Sequence, residues 1–233
     1  MPSSDTKITL GVEMSNPGSH DPKVPDPPHA VALWRGMDPV GSAPMPKAAR
    51  GSDAVMALVE SLCAQHGVSP GEIARILVST GPGGYTALRI ASTTAKVLGM
   101  ALGAELIGVE TPRVAGVSVD PGRRPALIAL ASKKGRAHAT VLHPGGELER
   151  LGVIEAERIG VLGVTTLVAD RHLPQSFADQ AARLSIAIEP IVLDARTLLS
   201  ASAGVDPVEP VALVPVYARE PDAVTQWRAR GSG

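Results

Sequence analysis

Apolar positions along the chain group into short runs and one-sided stripes, and these predict alternating strands and helices. Lys7–Met14 (KITLGVEM) and Ala30–Arg35 (AVALWR) read as an antiparallel strand pair, separated by a loop over 15–28 rich in Pro, Asp, Gly and Ser. Residues 36–50 carry no period and read as irregular. Val55, Leu58, Val59, Leu62 and Cys63 then fall at helical spacing, with Gly67 as the stop. Ser69-Pro70-Gly71-Glu72 has the form of a capping box with proline in the first turn. Arg75–Thr80 is a buried-strand run. A helical pattern covers about 86–102, Leu106–Val109 is a short strand, and Thr111-Pro112 opens another helix.

The order then restarts. Ala126–Ala131 and Arg136–Leu142 flank Ser132-Lys133-Lys134-Gly135, a hairpin signal. Glu155–Leu162 is weakly helical. Thr165–Ala169 and Pro190–Leu193 read as strands around a helix at 176–184. A last helix is expected over 195–203 and an extended end over 211–217. A hairpin followed by alternating elements thus occurs twice, which predicts two α/β lobes of related topology. The boundary falls near Pro112–Pro125, giving an N-terminal lobe over 1–115 and a smaller, diverged C-terminal lobe over 116–233.

Composition narrows the function classes. With 22 basic and 23 acidic residues the net charge is −1, without the basic excess of a stand-alone nucleic-acid binder. Aromatics make up only 2% of the 233 residues, too few for a platform that stacks bases. A single cysteine, Cys63, excludes an intramolecular disulfide and a cysteine-based zinc cluster. The first ten residues lack the apolar run of a secretory signal, and no window of ~18 apolar residues suggests a membrane span, so a soluble, cytoplasmic protein is expected.

The richest stretch is Gly81–Arg89, GPGGYTALR, between a strand and a helix. Glycines there permit left-handed dihedrals and close backbone approach. A following helix offers free N–H groups and a positive dipole end, so Gly81, Gly83, Gly84 and Thr86 are candidate anion or nucleotide neighbours. Thr86 is a candidate cap. Arg89 on the first turn opposes the dipole unless it meets an anion or carboxylate. The spacing fits neither the Walker nor the dinucleotide pattern.

The longer string GPGGYTALRIASTTAKVLGMALGAELIGVETP resembles the signature of the TsaB (YeaZ-like) family, as do ITLGVEMS and AVALWRG upstream and PVYAREPDAVTQW near the end. Trp34, Tyr85, Tyr217 and Trp227 sit where that family also tends to keep an aromatic. The resemblance implies two RNase-H-like lobes of the actin, sugar-kinase and Hsp70 ATPase (ASKHA) superfamily. It implies a part in making N6-threonylcarbamoyladenosine at position 37 of tRNAs that read ANN codons. In that family the chain is a non-catalytic subunit, paired with the catalytic paralogue TsaD (Kae1-type) and joined in bacteria by the ATPase TsaE. It also forms a homodimer and meets tRNA only through the complex. ATP or ADP at a subunit junction of the complex is the candidate cofactor.

Two enzyme readings stay open at this point. The catalytic paralogue holds a metal with His-x-x-x-His on a helix, and none of His20, His29, His66, His138, His143 and His172 has that spacing. Superfamily ATPases use one Asp in the first strand, here Glu13, and another at the start of the second lobe, here Ala131-Ser132-Lys133. A nucleotide-hydrolysing enzyme would rest on Glu13 alone. A glycoprotease-like peptidase would need an activated nucleophile, and Ser79, Thr80 and Ser92 have no His nearby in sequence. A diverged interaction protein of the same fold is the third reading. The helices at 53–66 and 86–102 are apolar on more than one side, which points to a partner surface. The resemblance places the dimer contact there, with Met56, Val59, Cys63 and Met100 as contact residues.

Overall fold

The computed structural model describes residues 7–15, 28–46 and 52–217. The 16–27 part of the loop insert and the end of the C-terminal motif beyond Tyr217 lie outside them.

Among the described residues, ten strands form two five-stranded sheets. In the first, β1 (Ile8–Val12) lies at the centre, antiparallel to β2 (His29–Arg35) and parallel to β4 (Ile73–Gly81). β3 (Asp38–Pro44) and β5 (Glu105–Glu110) form the edges, giving the order β3-β2-β1-β4-β5. The second sheet has β6 (Ala126–Ala131) at its centre, antiparallel to β7 (Ala137–Leu142) and parallel to β9 (Thr166–Ala169). β8 (Leu148–Ile154) and β10 (Ala187–Pro190) are its edges, and its order is β8-β7-β6-β9-β10. Position for position the two sheets are the same, and so are the senses of their pairings. The repeated hairpin-and-alternation pattern in the sequence is therefore a structural repeat.

The layers follow from the period of two in a strand. On β1, Ile8, Leu10 and Val12 face α1 (Ser52–Gln65) and α2 (Tyr85–Leu102) and join Val55, Val59, Leu62, Ala91 and Ala95 in one core. The opposite face, with Trp34, Leu77 and Val109, meets Ala126, Ile128 and Leu130 of β6. α3 (Thr111–Val117) and α5 (Leu198–Ala201) supply Val114, Ala115 and Leu198 between the sheets. Leu127 and Ala129, on the far side of β6, pack with Phe177 and Ala181 of α4 (Gln175–Arg183). Three apolar layers thus alternate with two sheets, and the middle one belongs to both lobes. No helix among the described residues is long and apolar enough to cross a membrane.

Several expectations need correction. Residues 36–50 contain a strand, β3, and residues 148–154 contain another, β8. The strand expected at 190–193 lies earlier, at β10. All three are edge strands with little buried surface and hence no clear alternation. β3 carries Pro39 and Pro44, which an edge tolerates because part of its N–H row needs no partner. The expected last helix divides into a 3₁₀ turn at Ala195–Thr197 and the short α5. The hairpin over 132–135 is present, closed by the Ser132 N–H on the Arg136 carbonyl at 2.8 Å, with Lys134 and Gly135 at positive φ. The capping box is present too, with Glu72 accepting from the Ser69 N–H at 2.7 Å.

Helix α2 lies close on its sheet because Gly99 has no side chain. A Cβ there would stand 2.6 Å from Cδ2 of the buried Leu106. Gly99→Ala should lower stability by about 1–3 kcal/mol through overpacking, although alanine is favoured over glycine in a helix by roughly 0.8–1 kcal/mol. Urea unfolding of the two proteins measures the difference, and an unchanged or raised midpoint would contradict this packing.

Candidate functional site

The glycine turn lies where three segments of the chain meet. β4 delivers Ser79, Thr80 and Gly81 to the head of α2, and β1 delivers Glu13, Met14 and Ser15 beside them. The Met14 N–H donates to Ser79 Oγ at 3.2 Å, and the Gly84 N–H donates to the Ser15 carbonyl at 2.6 Å. From the C-terminal side the Val216 N–H donates to the Thr80 carbonyl at 2.6 Å. The glycines are required by these approaches. A Cβ on Gly83 would clash with the Ser15 carbonyl oxygen, and one on Gly81 with the Val216 carbonyl oxygen. Gly81 also has φ +103°, a conformation that side chains with a Cβ rarely adopt.

Glu13 is buried at the exit of β1. Its Oε1 accepts from the Ser15 N–H at 2.7 Å and the Ser15 hydroxyl at 2.5 Å. Its Oε2 is buried with no hydrogen-bond partner among the described residues. Burial pushes this carboxyl above its ordinary value; the bonds from Ser15 and the nearby Ser79 hydroxyl oppose the shift and the charge of Asp194 adds to it. Asp194 itself is held below the usual carboxylate range. Burial acts upward on it, but the Arg196 guanidinium (2.7 Å) and the Arg196 and His29 N–H groups outweigh that.

In the second lobe Asp170 Oδ2 accepts the Ala131 N–H at 3.3 Å, the counterpart of Ser79 accepting from Met14. The repeat therefore aligns Ala131 with Met14 and Leu130 with Glu13, so an apolar residue stands where the first lobe has its acid. Ser15, Asp170, Asp194 and Val216 are participants that the sequence does not single out, and Ser79, weighed there only as a nucleophile, instead accepts the Met14 N–H. The pairs lie far apart in the chain, Met14 and Ser79 by 65 residues, and no local pattern marks them.

The remaining candidates fall into place around this junction. Helix α2 starts at Tyr85 with Gly84 as its N-cap, so Thr86 lies inside the first turn and does not cap it. Arg89 meets no carboxylate among the described residues. Its Nη1 donates to Tyr85 Oη at 3.1 Å and the guanidinium lies 5.4 Å from the centre of the Tyr85 ring. The Tyr217 ring packs on Tyr85, with centroids 4.9 Å apart.

On the helices expected to meet a partner, the four residues named for that contact divide into two buried and two exposed. Val59 and Cys63 point into the core of their own lobe, and Cys63 is 1% exposed, so neither is available to a second chain. Burial, with a smaller push from Glu72, raises the Cys63 thiol and keeps it protonated, which also removes it as a nucleophile. Met56 (40%) and Met100 (72%) are exposed, as is Val97 (57%) one turn before Met100.

Two five-stranded sheets of identical order around a shared apolar layer define a two-lobe α/β protein of the ASKHA type. The sequence model of TsaD, tRNA N6-adenosine threonylcarbamoyltransferase, matches residues 39–167, more than half of the chain, and the chain belongs to that family as a TsaB-like member. Two solved structures share the fold. One is YeaZ from Pseudomonas aeruginosa, with TM-score 0.65 and 19% identity over 91% of this chain and 100% of that one. The other is described as an uncharacterized protein with similarity to peptidase YEAZ from Pseudomonas aeruginosa, with TM-score 0.65 and 18% identity over 92% of this chain and 100% of that one. No curated protein matches the chain by sequence.

Two outcomes are expected at the junction. The folded state raises the Glu13 carboxyl above 4.5, so the unfolded chain gives up that proton at lower pH than the folded one. This contribution to stability is present below about pH 4.5 and is lost as pH rises through the folded value. Glu13→Gln should therefore be more stable than the parent at neutral pH, with the gap closing toward pH 4. Thermal unfolding across pH 4–8 measures it, and a gap that widens in acid would refute the assignment. Gly83→Ala should destabilise by about 2 kcal/mol or more, because the Ser15 carbonyl must be displaced and its hydrogen bond to Gly84 lost. Chemical unfolding checks this.

Proposed function

We propose that the chain is the non-catalytic TsaB-like subunit of the assembly that makes N6-threonylcarbamoyladenosine at position 37 of tRNAs reading ANN codons. It pairs with the TsaD-type catalytic paralogue through α1 and α2. A TsaE-type ATPase completes the assembly, and tRNA is met only through the complex. A homodimer uses a related surface.

The observation that carries this reading is the outer side of α2. Val97 and Met100 are more than half exposed, with Met56 of α1 also exposed, on helices whose inner sides already complete a core. Large apolar side chains in that position suit the centre of a protein–protein contact. The junction supports a non-catalytic role. A nucleotide-hydrolysing site of this superfamily would need an ionised carboxylate at Glu13, and burial works against ionisation there. The amide of Gly84 that would face a phosphate is already bonded to Ser15.

The test is copurification with the TsaD-type protein of the same organism. Val97→Asp with Met100→Asp should weaken the pair by about 2–4 kcal/mol, roughly 30- to 1,000-fold in Kd, without lowering the melting temperature. Val59→Ala should behave oppositely, costing about 2 kcal/mol of stability and leaving affinity unchanged. A chain that never captures that partner, and whose deletion leaves tRNA modification intact, would sink the proposal.

A further inference from the structure

After α5 the chain leaves the middle layer and runs back over the first lobe as an extended segment. Val208 forms a single antiparallel bridge with Leu106 of the edge strand β5, its N–H donating to the Leu106 carbonyl at 2.8 Å. A 3₁₀ turn at Pro210–Ala212 follows. Leu213 is buried and reaches Gly108, where a Cβ would stand 3.0 Å from its Cδ1. Val216 then bonds to Thr80 and lays its carbonyl on Gly81, and Tyr217 packs on Tyr85.

Two contrasts mark this segment. It is held at both ends and at one point between, so its three attachments are coupled through the chain. Yet it buries little. Leu213 is the one residue of 208–217 inside a core cluster with full burial, and Val211, Val214 and Val216 are exposed. Pro207, Pro210 and Pro215 lack N–H groups, so the segment is unable to zip onto β5 as a continuous sixth strand. Few buried contacts and few protected amides place a segment at the low end of local stability.

We infer that residues 208–217 form a strap that opens as one unit while both lobes stay folded. Closed, it guards the free edge of β5 and fills the space above Gly81. Open, it uncovers that edge, the glycine turn and the first turn of α2 together. The inference stands apart from the proposed partnership, because it concerns opening within one chain.

Hydrogen exchange on the intact protein, read at single amides, tests it. The Val208 and Val216 amides should exchange at a common rate, at least about 100-fold faster than the amides of β1, β4 and β6. Leu213→Ala should speed both by a further 10-fold or more, and leave the β6 and β9 amides unchanged. Tyr217→Ala, whose ring lies outside the core clusters, should do the same to a smaller degree and serves if the leucine variant folds poorly. Core-like rates at both amides would overturn the inference, because the strap would then be part of the global unit. Unequal rates, or a Tyr217→Ala effect on Val216 alone, would overturn it as well, because the segment would then fray piecemeal.

Discussion

Two backbone carbonyls occupying the space of two missing side chains hold the candidate site together. Ser15 closes on Gly83 and Val216 closes on Gly81. The first contact fixes the exit of β1 against the head of α2, and the second fixes the chain's return from the other lobe. Side-chain chemistry then follows from backbone placement. Glu13 is buried because β1 is pulled under the turn, and Tyr85 meets Tyr217 because Val216 has been brought to Thr80. A glycine-rich turn at a helix N-terminus is commonly read as an anion cradle. Here its close approaches are taken up by the chain itself.

The structural repeat makes the divergence of the lobes measurable. Both use the same strand order, and both pin the chain at the C-terminal end of the central strand with a side chain from the C-terminal end of the neighbouring parallel strand, Ser79 in one and Asp170 in the other. The surroundings differ. The first lobe covers its outer face with the 14-residue α1 and the 18-residue α2. The second has a 3₁₀ turn at Ala156–Val161 and the nine-residue α4. Leu130 occupies the position in the second lobe that Glu13 has in the first. One lobe thus presents long helical surface to the outside, and the other chiefly supplies its half of the middle layer.

Central elements were legible in the sequence because two-sided burial leaves continuous apolar runs, as in β4 and β6, and one-sided burial leaves helical stripes, as in α1 and α2. Edge strands were less so. β3 reads DPVGSAP, with no residue fully buried, and β8 and β10 are similarly half in water. The glycine motif was legible, and with it the family. Its use was not, because the atoms that fill Gly81 and Gly83 are backbone atoms of distant residues, and any residue brings a carbonyl. The same limit applied to α1. Helical spacing put Val59 and Cys63 on an apolar stripe, but a stripe does not say whether its own sheet or another chain covers it.

The burial of Cys63 has a practical side. It is the only thiol in the chain, and it is sealed in the first lobe's core and kept protonated. Reagents that attack thiolates at the surface therefore find no native target while the fold is intact. A cysteine introduced anywhere outside would carry a spin label, fluorophore or crosslinker on an unmodified background. The protein is thus suited, without prior removal of its native cysteine, to distance measurements between its lobes and along the outer side of α2.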